Sequence, residues 1–451
     1  MKAEEYIKIL TEQIRCRRAR DSVADEVRGH IEDQKEEFIR QGMAQEEAEA
    51  AAVKEMGDPV EAGSALDQVH RPQMAWGMIG LIGVLSLVGF LILYLFQRQV
   101  PEAVFLPGAI GRQLLWMGVG FGVMIGVCFF DYSRIGMYAK QITIGLCVLL
   151  LLGKLFWGRT VNGSLGWICI GRISISLQMT ALLFVPLYAA VLYAFRGEGR
   201  KVLFKGIVWM LPAFLILPQG IGLVTRMILL LTFLLIFGAA VYKNWFQIPR
   251  KKTLSAIGGL LVLLPALAAF LLWQFGAEYQ KMRLLAILHP EKYEGAYTIR
   301  MLRGMLRQST LIGRGTDWLT SEQLLPASGD YVLAYIAACY GILAAVVLAG
   351  LLAFLLLHFL KVSLGQKNQL GMLMGAGCAA VLFLQFLFYL GGNLGLIPSG
   401  VYCPFFTGGR SGMLVTYILL GIMLSIYRYQ NIISETAAVR APWRIRILIE
   451  R

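Results

Sequence analysis

Asp330 closes the segment Leu325-Pro326-Ala327-Ser328-Gly329-Asp330, immediately before a long apolar run that begins at Tyr331. A carboxylate where hydrocarbon starts is costly, so its retention asks for a reason. Two reasons are physically sound. Aspartate is a preferred N-cap for a following helix, and partial desolvation makes a carboxylate a stronger proton acceptor than it is in water. A second group is basic: Arg300, Arg303 and Arg307 recur at spacings of three and four, with Met301, Leu302, Met305 and Leu306 between them. That spacing predicts an amphipathic helix at a membrane surface, its apolar side in lipid and its guanidinium side toward head groups. Its arginines would either anchor the helix or receive a phosphorylated lipid. Metal chemistry has no support here. The 7 cysteines form no CxxC pair, and the 4 histidines include no HExxH or i,i+4 pair.

The elements that must position these groups are read from hydropathy. Of 451 residues, 57% are hydrophobic and 16% charged, with a mean hydropathy of +0.64; a soluble chain carries about a quarter charged residues. The expected fold class is all-α, a polytopic membrane protein. About ten apolar spans appear, near 76–96, 113–130, 141–156, 176–195, 203–218, 221–241, 253–276, 331–360, 370–390 and 411–427. Arg196, Arg200, Lys201 and Lys205 cluster in one connection, Lys243, Arg250, Lys251 and Lys252 in another, and Lys361 with Lys367 in a third. They alternate with charge-poor connections, so the positive-inside rule puts both termini in the cytosol. Residues 277–330 then form a long extracellular loop, and long loops are usually functional. Gly118, Gly122 and Gly126 predict a close-packing face on the second span.

Charge divides the chain. Residues 1–75 hold 17 acidic and 11 basic residues, whereas residues 76–451 hold 11 and 31. The basic excess belongs to the membrane part, where anionic membrane lipids explain it and nucleic acid is not called for. Residues 1–72 read as a cytosolic helical domain: Val23, Val27, Ile31 and Phe38 share a face of a helix running to about Arg40 with Gly42 as its stop, followed by helices near 48–56 and 60–69. The start is charged and lacks the apolar stretch of a cleavable signal peptide. The pattern resembles the short prefix domains ahead of some bacterial permeases, and it would dock a cytosolic partner or serve only folding. Residues 73–430 make the membrane domain and 431–451 a basic cytosolic tail.

Several outer-side segments, taken in order, resemble the FtsW/RodA/SpoVE group, also called the SEDS family. Thr160 to Ile168 resembles the group's first outer motif, which ends in Trp, here Trp167. Arg283-Leu284-Leu285-Ala286-Ile287-Leu288-His289-Pro290 resembles its Arg-[Ile/Leu]-x-x-Phe-Leu-x-Pro, and Leu311-Ile312-Gly313-Arg314-Gly315 its Leu-x-Gly-x-Gly. Leu325-Pro326 through Asp330-Tyr331 resembles the segment carrying the proposed catalytic Asp. Gly395-Leu396-Ile397-Pro398 and Pro404-Phe405-Phe406-Thr407-Gly408-Gly409-Arg410-Ser411 resemble Gly-x-x-Pro and a Gly-Gly-Ser-Ser loop. Departures are equally plain. The group's Gln-Pro-Ser-Glu reads Ser176-Leu177-Gln178-Met179, its Pro-Asp-x-Gly reads Gln219-Gly220-Ile221-Gly222, its later acidic pair is Ala338-Cys339, and the bases before Trp167 are Leu165 and Gly166.

The resemblance implies a ten-helix membrane enzyme, a peptidoglycan glycosyltransferase that polymerises lipid II, acting with a class B penicillin-binding protein that crosslinks the product. It implies Asp330 as the general base for an incoming sugar hydroxyl. Arg283, Arg314 and Arg410 become candidates for the leaving pyrophosphate, since arginine grips phosphate bidentately, with interfacial anchoring as the alternative. Trp167 would stack on a sugar or belong to an aromatic belt. Gly408, Gly409 and Ser411 would form a close-passing loop at the substrate. No cofactor is expected beyond Mg²⁺ that the pyrophosphate could bring with it. The missing acids leave two other readings open: a non-catalytic scaffold, and a lipid II flippase or transporter.

Overall fold

The computed structural model describes residues 1–99, 109–161, 164–171, 173–217, 222–276, part of 277–295, 296–313, 330–397 and 400–430. The first part is helical, in four pieces: α1 (Ala3–Glu12), α2 (Arg17–Arg40), α3 (Gln45–Glu55) and α4 (Pro59–Val69). Local chemistry sets the ends. Asp58 accepts from the amides of Val60 and Glu61, with Pro59 in the first turn of α4. Gly42 and Gly57 take φ of +100° and +77° just past α2 and α3, the left-handed conformation that ends a helix. The expected face of α2 is buried: Val23, Val27 and Ile31 pack with Tyr6 and Leu10 of α1 and with Ile14 just after it, a helix that the sequence pattern had not singled out. Buried Asp67 accepts from the Arg15 amide at 2.9 Å and from Arg71 Nε and Nη2 at 2.9 and 2.8 Å, as a buried carboxylate must.

Membrane-type helices follow: α5 (Trp76–Gln99), α6 (Ala109–Phe129), the short α7 (Tyr132–Met137) and α8 (Ala139–Trp157). A three-stranded antiparallel sheet interrupts them, β1 (Gly158–Val161), β2 (Ser164–Ile170) and β3 (Ile173–Ser176), in the order β1-β2-β3. The fold is therefore not wholly α. The Thr160–Ile168 motif runs from β1 into β2, where Arg159 faces Trp167 and Trp167 faces Ser176. After α9 (Leu177–Thr180) and a 3-10 turn come α10 (Phe184–Tyr193), α11 (Lys201–Val208), α12 (Leu211–Ile216), α13 (Leu223–Tyr242) and α14 (Arg250–Phe275). Next are α15 (Tyr297–Gln308), α16 (Val332–Tyr340), α17 (Ile342–Leu364), α18 (Gln369–Asn393) and α19 (Arg410–Arg428).

Among the described residues seven helices are long and apolar enough to cross a membrane, and an eighth if α14, bent by 43°, counts as one span. The other expected spans are shorter helices: 176–195 is divided among α9, the turn and α10, and 203–218 between α11 and α12. The chain is a multi-pass membrane protein. Its centre is α18 and α19, each with 72% of its apolar window buried. Among the described residues α6 and α19 make the most extensive helix pair, and its glycines are not the expected ones. A Cβ at Gly118, Gly122 or Gly126 would meet nothing within 4 Å, whereas one at Gly120 would strike the Tyr417 ring at 2.3 Å. Tyr429, just past α19, packs against both the membrane core and the core of α1–α4. Its hydroxyl donates to the Phe129 carbonyl at 3.0 Å.

The predicted span 331–360 is broken. Gly341, at φ +100°, separates α16 from α17. The freed backbone groups are paired by Thr310–Gly313: Ile342 N–H donates to Thr310 O (3.0 Å), Leu343 N–H to Leu311 O (3.1 Å), and Gly313 N–H to Tyr340 O (3.2 Å). An unwound turn within a bundle survives only if its polar groups find such partners. The Leu311-Ile312-Gly313 motif is thus a backbone strap. α15 also departs from expectation. Met301, Leu302 and Met305 are buried in the protein core, not in lipid. Arg300 Nη1 donates to Pro290 O and Tyr293 O at 2.7 and 2.9 Å, and Arg303 Nη2 to Ile287 O and Gly395 O, both at 3.1 Å. Both guanidiniums hold loop backbone; Arg307 is exposed.

Candidate active site

Four of the predicted residues meet in one cavity of about 260 Å³, lined by Trp167, Gly409, Arg410 and Ser411 together with Arg112, Gln113, Trp116 and Ser174. Each wall has a clear origin. Arg112, Gln113 and Trp116 come from the first turns of α6, Trp167 and Ser174 from the sheet, and Gly409 to Ser411 from the head of α19. Ser411 Oγ accepts from Ser176 N–H at 2.9 Å and donates to Ser174 O at 3.2 Å. Its hydroxyl therefore sews β3 to α19 and shapes the cavity wall. Gly409, the residue before α19, has φ +147°, a region open chiefly to glycine. Gly408 is exposed and does not line the cavity. Two guanidiniums with no carboxylate among the lining residues favour an anionic guest, and two indoles offer flat apolar faces.

The loop before α19 is wedged into the bundle. Cys403, Phe406 and Thr407 are buried, and Thr407 Oγ1 accepts from Cys403 N–H (2.9 Å) and donates to Cys403 O (2.8 Å). Phe405 adopts φ +69°, a strained conformation for a residue with a side chain. A Cβ at Gly89 of α5 would lie 2.1 Å from the Phe405 carbonyl oxygen, so the glycine makes room for the wedge.

Asp330 lies at the other end of this loop. Its carboxyl end sits against Gly400, where an added Cβ would be 2.0 Å from Oδ2, while the residue keeps an exposed flank. Burial on the packed side raises its pKa above the usual carboxylate value. The capping alternative fails. The N-cap of α16 is Tyr331, with no side-chain cap bond. The Ala334 amide donates instead to Asn393 Oδ1 at 3.0 Å. Asp330 contributes its backbone carbonyl, which accepts from Asn393 Nδ2 at 3.3 Å.

Asp330 does not line the arginine cavity; the 400–409 loop joins the two places. Arg283 and Arg314 lie outside the described residues, as does most of the segment leading to Asp330. Sequence reasoning missed Arg112, Gln113, Trp116, Ser174, Asn393 and Gly400. For the first three a signal exists: polar Arg112-Gln113 at the edge of an apolar span, with Trp116 one turn later. Among the described residues no three His, Cys, Asp or Glu side chains converge to hold a metal.

The sequence profile of the FtsW/RodA/SpoVE family, described as "Cell cycle protein", covers residues 76–432. The chain belongs to the FtsW/RodA/SpoVE family. A protein of Nitrosomonas europaea named "Probable peptidoglycan glycosyltransferase FtsW" is 27% identical over 374 residues, 80% of this chain and 94% of the relative. The "Peptidoglycan glycosyltransferase RodA" of Treponema pallidum is 23% identical over 417 residues, 77% of this chain and 96% of the relative. A chain from a structure described as "Structural coordination of polymerization and crosslinking by a peptidoglycan synthase complex" has the same fold, with a TM-score of 0.62 at 22% identity over 79% of this chain and 99% of that one. Thermus thermophilus RodA gives 0.55 at 20% identity, over 79% and 97%. Residues 1–75 precede the matched region, so α1–α4 are an addition to the family's membrane domain.

Proposed function

We propose that this protein is a peptidoglycan glycosyltransferase that polymerises lipid II at the outer face of the plasma membrane, with Asp330 as general base. A sugar hydroxyl of one lipid II attacks the anomeric carbon of another. The new C–O bond forms as the bond to pyrophosphate breaks, the proton passes to Asp330, and undecaprenyl pyrophosphate leaves with the bonding pair. No enzyme nucleophile takes part, so the anomeric carbon inverts. A positioned base contributes about 10²–10⁴-fold. The cavity with Arg112 and Arg410 suits the anionic head, since fixed positive charge stabilises a leaving pyrophosphate without proton transfer.

One observation carries the reading: the Asp330 side chain is left out of the α16 cap, where the Ala334 amide donates to Asn393 Oδ1, and its carboxyl lies against Gly400. Residues 1–72 and the basic connections would then face the cytosol, where α1–α4 dock a partner. A class B penicillin-binding protein is the expected membrane partner, in keeping with the synthase complex whose chain shares this fold. The chain offers no carboxylate cluster for Mg²⁺ among the described residues, and no step above depends on one.

The test is glycan synthesis from labelled lipid II by the purified full-length chain with its transpeptidase, comparing wild type with Asp330→Asn. Polymer should fall by about 10²–10⁴-fold at equal protein abundance. An Asp330→Asn enzyme working at the wild-type rate removes the base. A wild type that makes no polymer points to the scaffold or flippase.

A further inference from the structure

Asn393, the last residue of α18, is buried, and its side-chain amide makes three hydrogen bonds where the broken span begins. Oδ1 accepts from Ala334 N–H at 3.0 Å, and Nδ2 donates to Asp330 O at 3.3 Å and to Tyr389 O at 2.9 Å. The first-turn amides of a helix need acceptors, and a side chain just before the helix usually supplies one. Tyr331 stands at that spot and caps nothing; Asp330, a favoured capping type, is one residue further out, and the acceptor arrives from 59 residues away.

We infer that Asn393 is the positioning residue of the site: it caps α16 in place of Asp330 and anchors the Asp330 backbone, so the carboxylate stays directed at Gly400. This rests on the reading of Asp330 as base and adds the part that keeps it available. Without the amide, the Ala334 N–H loses its acceptor, and Asp330, four residues earlier in the chain, carries the carboxylate that would turn from Gly400 to replace it. A carboxylate drawn into a helix N-terminus accepts amide hydrogen bonds, becomes less basic and turns away from substrate. The titratable groups on the surrounding elements are Tyr331, Tyr335, Cys339 and Tyr340 of the α16 segment, Tyr389 of α18, Arg300, Arg303 and Arg307 of α15, and Tyr402 and Cys403 in the wedge loop. None of them accounts for the raised pKa of Asp330, which comes from burial.

Two variants pull the system in opposite directions. Asn393→Ala removes the cap, so kcat for glycan synthesis should fall at least tenfold with KM within about twofold. The acid limb of the kcat–pH profile should move to lower pH, by about one unit, as Asp330 becomes the cap. Asn393→Asp is isosteric and keeps the acceptor for Ala334 N–H, but it replaces the donor to Asp330 O and Tyr389 O with an oxygen and sets a like charge beside Asp330. Its acid limb should move to higher pH, again by about one unit. A purely structural role for Asn393 produces no such opposed pair.

Both variants are assayed in the full chain with its transpeptidase, alongside Asp330→Asn. Acid limbs that stay at the wild-type pH, or that move in the same direction, overturn the inference while an inactive Asp330→Asn leaves the base intact. An active Asp330→Asn overturns the underlying reading instead. If Asn393→Ala does not accumulate, the upward shift expected of Asn393→Asp decides alone.

Discussion

Gly400→Ala is the sharpest mechanical test of the site, because the perturbation is one methyl group with one neighbour. A Cβ there would lie 2.0 Å from Asp330 Oδ2, 2.4 Å from its Cγ and 2.7 Å from its Cβ. Ordinary contact begins near 3.4 Å, so the carboxylate must retreat by about 1.4 Å. The backbone itself accepts alanine, since Gly400 is not among the residues with positive φ. The cost therefore falls on the position of the carboxylate more than on the fold. A misplacement of about 1 Å in a catalytic group can lower the rate about 10²-fold, which corresponds to about 2.7 kcal/mol in the barrier. We expect kcat for polymerisation from labelled lipid II to drop by about that factor, with KM little changed because the arginine cavity is untouched. The double variant Gly400→Ala/Asp330→Asn should be no slower than Asp330→Asn alone, since both changes disable the same group. A Gly400→Ala enzyme within about threefold of wild type refutes the reasoning, as does a double variant whose losses multiply.

Two further outcomes follow from the geometry. Arg112→Ala and Arg410→Ala should each raise KM for lipid II by about tenfold or more, the loss typical of a hydrogen bond to a charged group. Lysine at either position should recover only part of it, and equal KM values across the set would remove the cavity from substrate binding. Gly341→Ala places a Cβ 2.7 Å from Leu311 O at φ +100°, so the detergent-solubilised protein should melt several degrees lower, in line with about 1–3 kcal/mol of backbone strain. An unchanged melting temperature would mean that the strap bonds of Thr310–Gly313 do not hold the break.

How much of the site could be read in advance differs residue by residue. Trp167, Gly409 and Arg410 line one cavity, although they come from a sheet and the start of a distant helix, and no motif spacing said that they would meet. Ser411 lines it too, but its hydroxyl is committed to β3 backbone, which no spacing rule announces. The amphipathic pattern of 297–308 correctly gave a helix; its burial partner was wrong, because periodicity gives an apolar face and not what covers it. The GxxxGxxxG pattern failed for a related reason. Gly118, Gly122 and Gly126 share a face, but α19 packs on the neighbouring one through Gly120. The broken span escaped because 331–360 is apolar throughout, and a positive φ at Gly341 needs a partner strand to be worth adopting.

Composition and hydropathy alone determined the membrane class, the helical core, the acidic character of the segment before the first span and the carboxylate of Asp330 at the edge of a span, since these follow from transfer free energy and local periodicity. Whether that carboxylate caps a helix or stands apart was decided only in three dimensions. The deciding group is an asparagine amide 63 residues further along the chain, and no local rule carries information over that separation. Hydrogen-bond partners are chosen by packing, and packing belongs to the whole bundle.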